Sequence, residues 1–171
     1  MTEPPTDLVA TVATLAARVQ RLEDELAIHR LIIRYGMAAD IGDGAAAAAT
    51  FTREGTYDAD VGRMDGRAAV EAMLSGARHQ GMVGHCAHQM GPAVVEIRDD
   101  QSAVATGYSR VYLETHAGTQ VYRVSFNHWE LRKHDGAWLI AHRTTRRLGL
   151  QDTTAVLATG LGGSAPERES S

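Results

Sequence analysis

Residues 26–51, LAIHRLIIRYGMAADIGDGAAAAATF, decide the fold of this chain. Their apolar side chains recur three and four residues apart, as in a helix with one wide buried face, at Ile28, Leu31, Ile32, Tyr35 and Ala39. Asp40 follows at the end of this face, where its carboxylate also meets the negative end of the helix dipole. Burial of a charge without a partner is costly. The stretch therefore predicts a long helix whose Asp40 faces either solvent or a cationic partner.

The segments that follow predict two shorter helices and a small hairpin. Asp43 precedes a run of alanines and is a suitable N-cap for a helix over residues 44–50. Residues 55–60 are typical of a short strand that pairs with residues 62–64. Asp65 then caps a predicted third helix over residues 66–80, which Gly81 and Gly84 end.

The second half of the chain predicts strands alone, over residues 93–98, 103–114, 119–132 and 137–148. Short connections between consecutive strands favour antiparallel pairing in a meander. Three helices followed by a meander indicate an α+β fold, with a curved antiparallel sheet and three helices that form a cone. Such a cone holds an internal pocket, where small ligands bind.

An N-terminal arm precedes this domain. Its apolar residues alternate steps of four and three residues, as in a heptad seam, at Leu8, Val12, Leu15, Val19, Leu22 and Leu26. The arm either packs on its own domain or pairs with a helix of a second subunit. We expect an arm over residues 1–24, one domain over residues 25–150 and a disordered tail over residues 151–171.

Composition limits the classes of function. The chain has 171 residues, 44% hydrophobic and 22% charged, with a net charge of −4. The acidic balance argues against binding nucleic acid, and no run of 18 apolar residues predicts a membrane span. The first residues, MTEPPTDL, lack the basic and apolar segments of a signal peptide, and Cys86 is the single cysteine. We expect a cytoplasmic protein that binds neither nucleic acid nor membrane.

Asp40 and His88 are the central candidates for catalysis. An aspartate beside a histidine fixes the imidazole tautomer and makes it a general base near neutral pH. Simpler interpretations stay open, namely an exposed helix end for Asp40 and a surface loop before the strand for His88. His85, Cys86 and His88 lack the spacing of a zinc site, so we predict no metal.

Tyr35 and Arg143 are the further catalytic candidates. Tyr35 precedes Asp40 by five residues on one helix, so both can border one cavity. Alternation in the last strand places Arg143 with Leu139 and Ala141, on the face opposite Ile140. An arginine on an apolar face is costly unless an anion or a carbonyl binds it. A core tyrosine and an arginine that extends to solvent are the alternatives.

Four residues are predicted to bind substrate: Tyr57, Cys86, Tyr108 and Tyr112. Cys86 is two residues before His88, so on a strand it points to the same side. Tyr108 and Tyr112 share one face of their strand, but the pattern does not decide which face lines the pocket. Because both faces of that strand are partly apolar, we expect a second subunit to cover the outer face of the sheet.

Three segments resemble SnoaL-like domains of the nuclear-transport-factor-2-like superfamily. Residues 28–57, IHRLIIRYGMAADIGDGAAAAATFTREGTY, resemble the opening of these domains, with its RY pair, aspartate and GD turn. HQMGPAVVEI resembles the strand that carries the pocket histidine, and HDGAWLIAHRTTRR resembles the closing strand. The resemblance covers residues 25–150 and implies a cystatin-like α+β barrel. This fold hosts lyases, isomerases, cyclases and non-enzymes.

The pair of an aspartate on a helix and a histidine on a strand is similar to that of three families: scytalone dehydratases, hexachlorocyclohexane dehydrochlorinases and bile-acid 7α-dehydratases. The resemblance implies that His88 is the base and that Asp40 orients it. The tyrosine of the bile-acid enzymes falls on Tyr35, and the last-strand arginine of the dehydrochlorinases falls on Arg143. Tyr35 occupies the dehydrochlorinase lysine position, which argues against dehalogenation. The second pocket histidine of scytalone dehydratases has no counterpart over residues 103–114.

These observations predict a lyase, a dehydratase that needs no cofactor and acts on a small hydrophobic molecule with hydroxyl or carbonyl groups. His88 would remove a proton, while Tyr35 and Arg143 stabilise the oxygen that gains charge or departs. An isomerase or a cyclase would use the same pair, and a non-catalytic ligand-binding or assembly protein is the third hypothesis. We expect a homo-oligomer, with at least two subunits.

Overall fold

The computed structural model describes residues 6–150 and 152–163. The predictions for the start of the arm and for the end of the tail lie outside the described residues. The elements follow in the order α1 (Thr6–Asp40), α2 (Gly44–Ala48), β1 (Phe51–Ala59), β2 (Gly62–Asp65), α3 (Arg67–Ser75), α4 (Ala77–Gln80), β3 (Cys86–Ile97), β4 (Ser102–Thr115), β5 (Gly118–His134), β6 (Ala137–Arg147), α5 (Thr153–Ala158) and a 3₁₀ turn (Thr159–Leu161).

One curved, unclosed sheet contains all six strands in the order β2-β1-β6-β5-β4-β3. Neighbouring strands are antiparallel except β1 and β6, which are parallel because the helices and the meander separate them in the chain. The α+β fold predicted from the sequence is confirmed. We call the sheet face that packs on α1 the inner face and the opposite one the outer face.

The core lies between α1 and the inner face. From α1 it contains Ile28, Ile32, Tyr35 and Ala39, and from the sheet it contains Phe51, Trp129, Leu131 and Ile140. The predicted wide apolar face of the first helix is therefore the face that the sheet covers. Asp24 is also buried on this side. The cost of burying its carboxylate is offset by hydrogen bonds that it accepts from the Trp138 indole at 2.9 Å and from the Lys133 ammonium at 2.6 Å.

Helix α1 is longer than the predicted domain helix. The arm and the domain helix form one continuous element, and the side chains of residues 7–23 are all exposed. Within the part of the chain that the structure describes, no helix is both long and apolar enough to cross a membrane.

Two boundaries differ from the prediction. The third helix is broken at Gly76, whose extended backbone separates α3 from α4. Strand β3 begins at Cys86, so His88 lies within a strand and not in the loop before it. The pattern missed this start because Gly91 and Pro92 interrupt it where the β3–β4 register shifts.

The segment after β6 was predicted to be disordered, and this is wrong for residues 152–163. Helix α5 and the 3₁₀ turn pack on the outer face, where the Thr159 hydroxyl lies 2.7 Å from that of Thr106 and 2.9 Å from His128 Nδ1. Arg146 secures the segment by donating to Asp152 at 2.6 Å. The chain itself thus covers part of the face that we expected a second subunit to cover.

Gly36 permits the close approach of α1 to β3. A Cβ atom at this position would lie 2.8 Å from the His88 carbonyl oxygen and 3.0 Å from Met90 Cγ. Any side chain here therefore pushes the end of α1 away from β3. Since Asp40 is one turn further along α1, this glycine also determines how near its carboxylate comes to the sheet.

We expect Gly36→Val to destabilise the protein by roughly 1–3 kcal/mol, because the added methyl groups meet backbone that cannot move freely. Thermal unfolding monitored by circular dichroism measures the effect. Arg34→Val is the matched control, since the same β-branched side chain is placed at an exposed site of the same helix. Equal unfolding temperatures for the two variants would contradict the role of Gly36.

Candidate active site

A cavity of about 270 Å³ lies between the inner face of the sheet and the helices. Its apolar lining includes the side chains of Tyr35, Tyr57, Met64, Met73, Met82 and Met90. Its polar lining includes His79, His88, Ser109, Arg123, Arg143 and Thr145. Polar and apolar side chains contribute about equally. The polar groups are there because β4, β5 and β6 turn hydroxyl and guanidinium groups inward.

Asp40 and His88 meet at one side of this cavity. The carboxylate of Asp40, at the end of α1, accepts a hydrogen bond from His88 Nδ1 at 2.6 Å. It also accepts from the backbone N–H of His88, with 2.8 Å to Oδ1 and 2.9 Å to Oδ2. The cost of placing a carboxylate at the helix C-terminus is offset by these bonds. Neither residue is a free surface group.

This contact determines the state of the imidazole ring. A carboxylate can only accept, so Nδ1 of His88 carries the proton and Nε2 keeps its lone pair. Burial lowers the pKa of His88 below its ordinary value of 6.5, although the hydrogen bond and the charge of Asp40 oppose the shift. At neutral pH the ring is therefore uncharged, and Nε2 can accept a proton.

We expect the ring of His88 to titrate below pH 6.5 in an NMR titration. The unfolded chain binds this proton more tightly than the folded one, so His88 makes the protein less stable as the pH falls below 6.5. Burial lowers the pKa values of His128 and His142 too. Thermal unfolding of the wild type and of His88→Gln at several pH values therefore isolates the contribution of His88 to the pH dependence of stability. Titration at or above pH 6.5 would contradict the expectation.

Asp40, Cys86 and His88 form a candidate metal-ligand set, since one ligand atom from each lies within 4.8 Å of the others. The separation of His88 Nδ1 and Asp40 Oδ1 is that of a hydrogen bond, and Cys86 Sγ lies 3.9 Å from the same oxygen. Burial, together with the charge of Asp40, raises the pKa of the Cys86 thiol, which disfavours the thiolate that metals bind. These donors fit a hydrogen-bonded pair better than a metal site.

Arg143 occupies a second polar position in the cavity. Its buried guanidinium packs on two aromatic rings, 4.6 Å from the centre of Tyr35 and 4.5 Å from that of Tyr57. Nη2 and Nε donate to Asn127 Oδ1 at 2.8 and 3.3 Å. Nη1 is buried and has no hydrogen-bond partner among the described residues. Because an unsatisfied buried N–H is costly and Arg143 lines the cavity, its guanidinium is suited to bind an oxygen of a ligand.

Tyr35 lies between the two polar positions. Its ring is buried, borders the cavity and packs edge-on against Phe51 and Tyr57, with centroid distances of 6.0 and 6.4 Å. Burial, and then the proximity of Tyr57, raises the pKa of Tyr35, so its hydroxyl stays protonated at neutral pH. The group can donate a hydrogen bond to a ligand oxygen, but it does not supply a phenolate base.

The predicted substrate-binding residues divide into two groups. Tyr57 lines the cavity, and Cys86 contacts Asp40 beside it. Tyr108 and Tyr112 lie on the outer face, where Tyr108 is 46% exposed and the Tyr112 hydroxyl donates to Gln89 at 3.0 Å. Their predicted contact with substrate is wrong. Strand alternation turns Ser109 and Val111 inward in their place.

Two residues that support the site were not predicted. The buried ring of His79, from α4, packs at a tilt against that of His88, with 5.7 Å between the ring centres, and its Nε2 lies 2.8 Å from the carbonyl oxygen of Ala39. Asn127 accepts from both Arg143 and the Thr145 hydroxyl, and its own amide donates to Ser109 at 2.9 Å. The local sequence does not predict a role for either residue, because each contacts residues that are distant from it in the sequence.

Comparisons with known proteins agree with this fold. The profile of the SnoaL-like domain matches residues 20–144. The chain is similar to the crystal structure of a nuclear-transport-factor-2-like protein with a cystatin-like fold from Novosphingobium aromaticivorans, with 34% identity and a TM-score of 0.80 over 85% of this chain and 96% of that one. No curated protein matches the sequence.

Two further solved structures are similar. A protein of unknown function from Mycobacterium tuberculosis is 27% identical, with a TM-score of 0.71 over 83% of this chain and 86% of that one. A protein described as a candidate scytalone dehydratase from Novosphingobium aromaticivorans shares the fold, with 16% identity and a TM-score of 0.63 over 76% and 87% of the two chains. The family predicted from the sequence is confirmed: the chain belongs to the SnoaL-like domain family of the nuclear-transport-factor-2-like superfamily.

Proposed function

We propose that the protein is a dehydratase that removes water from a small β-hydroxy carbonyl compound. The observation that carries the proposal is the bond between Asp40 and His88 Nδ1, which leaves an uncharged imidazole with a free Nε2 at the cavity. A ring held in this way is suited to remove a proton from carbon.

The reaction starts when Nε2 of His88 takes the proton next to the substrate carbonyl. The electron pair of that C–H bond moves into the carbonyl group and gives an enolate, while Asp40 stabilises the imidazolium. The enolate then reforms the carbonyl group and expels the β-hydroxyl group. This group takes the proton from His88 and leaves as water, so the imidazole is uncharged again and the product is an α,β-unsaturated carbonyl compound.

Arg143 and Tyr35 would stabilise the oxygen atoms in this sequence. The unpaired Nη1 of Arg143 would bind the enolate oxygen, which carries more negative charge than the carbonyl oxygen of the bound substrate. The protonated hydroxyl of Tyr35 would donate a hydrogen bond to the departing hydroxyl group. Methionine side chains along the rest of the cavity would hold the apolar part of the substrate, since methionine adapts to irregular shapes.

Incubation of the protein with a panel of β-hydroxy ketones in deuterated water tests the proposal. Mass spectrometry is expected to show loss of water, and deuterium is expected to enter the carbon next to the carbonyl of recovered substrate. Both effects should disappear in His88→Gln, remain in His85→Gln and persist with a chelator present. Conversion that is unchanged in His88→Gln would contradict the proposed base.

Two other outcomes define the alternatives. A product of unchanged mass would identify an isomerase or a cyclase, which uses the same base and returns the proton at another carbon. A ligand that binds without conversion and without deuterium exchange would identify a binding protein. The balanced polar and apolar lining suits a small amphipathic ligand in each case.

A further inference from the structure

Helix α1 has a second apolar face that nothing in the described chain covers. We call it the outer stripe, and it consists of Leu8, Val12, Leu15, Val19, Leu22, Leu26, Ile33 and Met37. These side chains are between 45% and 66% exposed. The stripe extends over most of the 35 residues of α1, beyond the predicted arm. An exposed apolar row of this length, interrupted only at His29, is typical of an interface.

The outer stripe is opposite the face that packs on the sheet. At about 100° per residue, Leu26 and Ile33 lie on the far side of the helix from Ile28 and Tyr35, which are buried in the core. A helix that binds the stripe therefore packs on the side of α1 that faces away from the sheet. The side chains of residues 7–23 are exposed, and a helix of this length is marginal in water on its own.

We infer that the outer stripe pairs with its own copy in a second chain, as a parallel two-stranded coiled coil. In the heptad pattern, the a positions are Val12, Val19, Leu26 and Ile33, and the d positions are Leu8, Leu15, Leu22 and, between Leu26 and Ile33, the polar His29. β-Branched residues at a with leucine at d favour parallel dimers over higher oligomers. The two domains lie on opposite sides of the coil, so both cavities remain accessible.

Charges beside the stripe match this arrangement. In a parallel pair in register, each g residue faces the e residue five positions later in the other helix. Arg18 then faces Glu23 of the partner subunit, and Glu25 faces Arg30 of the partner subunit. Symmetry repeats both contacts, which gives four attractive pairs and no repulsive one. An antiparallel pair aligned on the same stripe keeps only the contact of Arg18 with Glu25 of the partner subunit.

Light scattering of the full chain after size-exclusion chromatography tests the pairing. The wild type is expected at twice 18.4 kDa, and Leu15→Asp with Leu22→Asp is expected at 18.4 kDa. Ala10→Asp with Ala17→Asp adds the same charge at f positions, away from the stripe, and should keep the mass of the wild type. A monomeric wild type, or an unchanged mass after substitution of the leucines, would overturn the inference. Both leucines are exposed, so the domain should stay folded, while the unpaired arm should lose part of its helical circular dichroism signal.

Charge reversal tests the parallel orientation. Arg18→Glu places like charges opposite each other at both symmetric sites and should weaken the dimer by roughly tenfold. Addition of Glu23→Arg restores the attraction only when residue 18 faces residue 23 of the other chain. Recovery of the dimer in the double variant supports the parallel coil, and a failure to recover would overturn it in favour of an antiparallel one.

Disulfide formation gives an independent measure of register. In the Cys86→Ala background, Leu15→Cys brings two identical d positions together in a parallel pair, and air oxidation should link them. Ala17→Cys at an outward f position is the control that should remain unlinked. Equal linkage in the two variants would contradict the predicted alignment.

Discussion

Replacement of His88 by glutamine is expected to lower kcat for water loss by a factor of about 10²–10⁴, the usual contribution of a positioned general base. Glutamine has a similar size and can still donate to Asp40, but it has no lone pair basic enough to take a proton from carbon. The backbone N–H of residue 88 still binds the Asp40 carboxylate. The folded state should therefore survive, and the loss should appear in kcat far more than in ligand affinity.

The matched control is His85→Gln. His85 is exposed and three residues away, so its substitution introduces the same chemical change outside the cavity. Steady-state kinetics on any substrate found in the screen, together with unfolding temperatures, would separate the two variants. Equal activity of His88→Gln and His85→Gln would remove His88 from the mechanism.

The second large effect is expected for Arg143→Gln, with kcat/KM lower by a factor of about 10²–10³. Glutamine retains a donor for Asn127 but removes the positive charge that would meet the enolate oxygen. Arg143→Lys should recover only part of the loss, because an ammonium group lacks the planar fork that reaches both Asn127 and a ligand. Arg132→Gln is the control, since Arg132 is exposed on the neighbouring strand β5 and does not line the cavity.

The informative measurement is how the loss of activity in Arg143→Gln divides between kcat and KM. If Arg143 binds charge that develops during the reaction, kcat decreases and KM changes little. A higher KM with unchanged kcat would instead show that Arg143 binds substrate and transition state equally. Unchanged kinetics would contradict a role for the unpaired Nη1 in binding either state.

The sequence predicts α1 and the family well, because the information is local. Ile28, Leu31 and Ile32 repeat at helical spacing, and the RY pair, the aspartate and the GD turn lie within one short stretch. The pairing of Asp40 with His88 was inferred from the residue types and supported by the resemblance to SnoaL-like domains. No spacing in the sequence indicates a contact between residues 48 positions apart.

Strand faces were predicted less well because bulges break the alternation. In β6 the register shifts opposite Glu130 and Leu131, so Ile140 and Arg143 both point to the inner face, although alternation had separated them. A second shift in β5 leaves Tyr122 without a paired residue, and both Tyr122 and Arg123 line the cavity. Such shifts depend on how neighbouring strands twist against each other, which a single strand does not encode.

Asp40 and His88 contribute unequally to the structure, because Asp40 binds both the ring and the backbone of residue 88. A change at position 88 removes the chemistry and leaves the backbone bond, so the edge strand β3 stays attached to the end of α1. A change at position 40 removes both bonds and leaves packing alone to hold the end of α1 on β3. A chain could therefore lose catalysis at position 88 and keep a rigid cavity, so the simplest path from enzyme to binding protein in this architecture is the loss of the histidine alone.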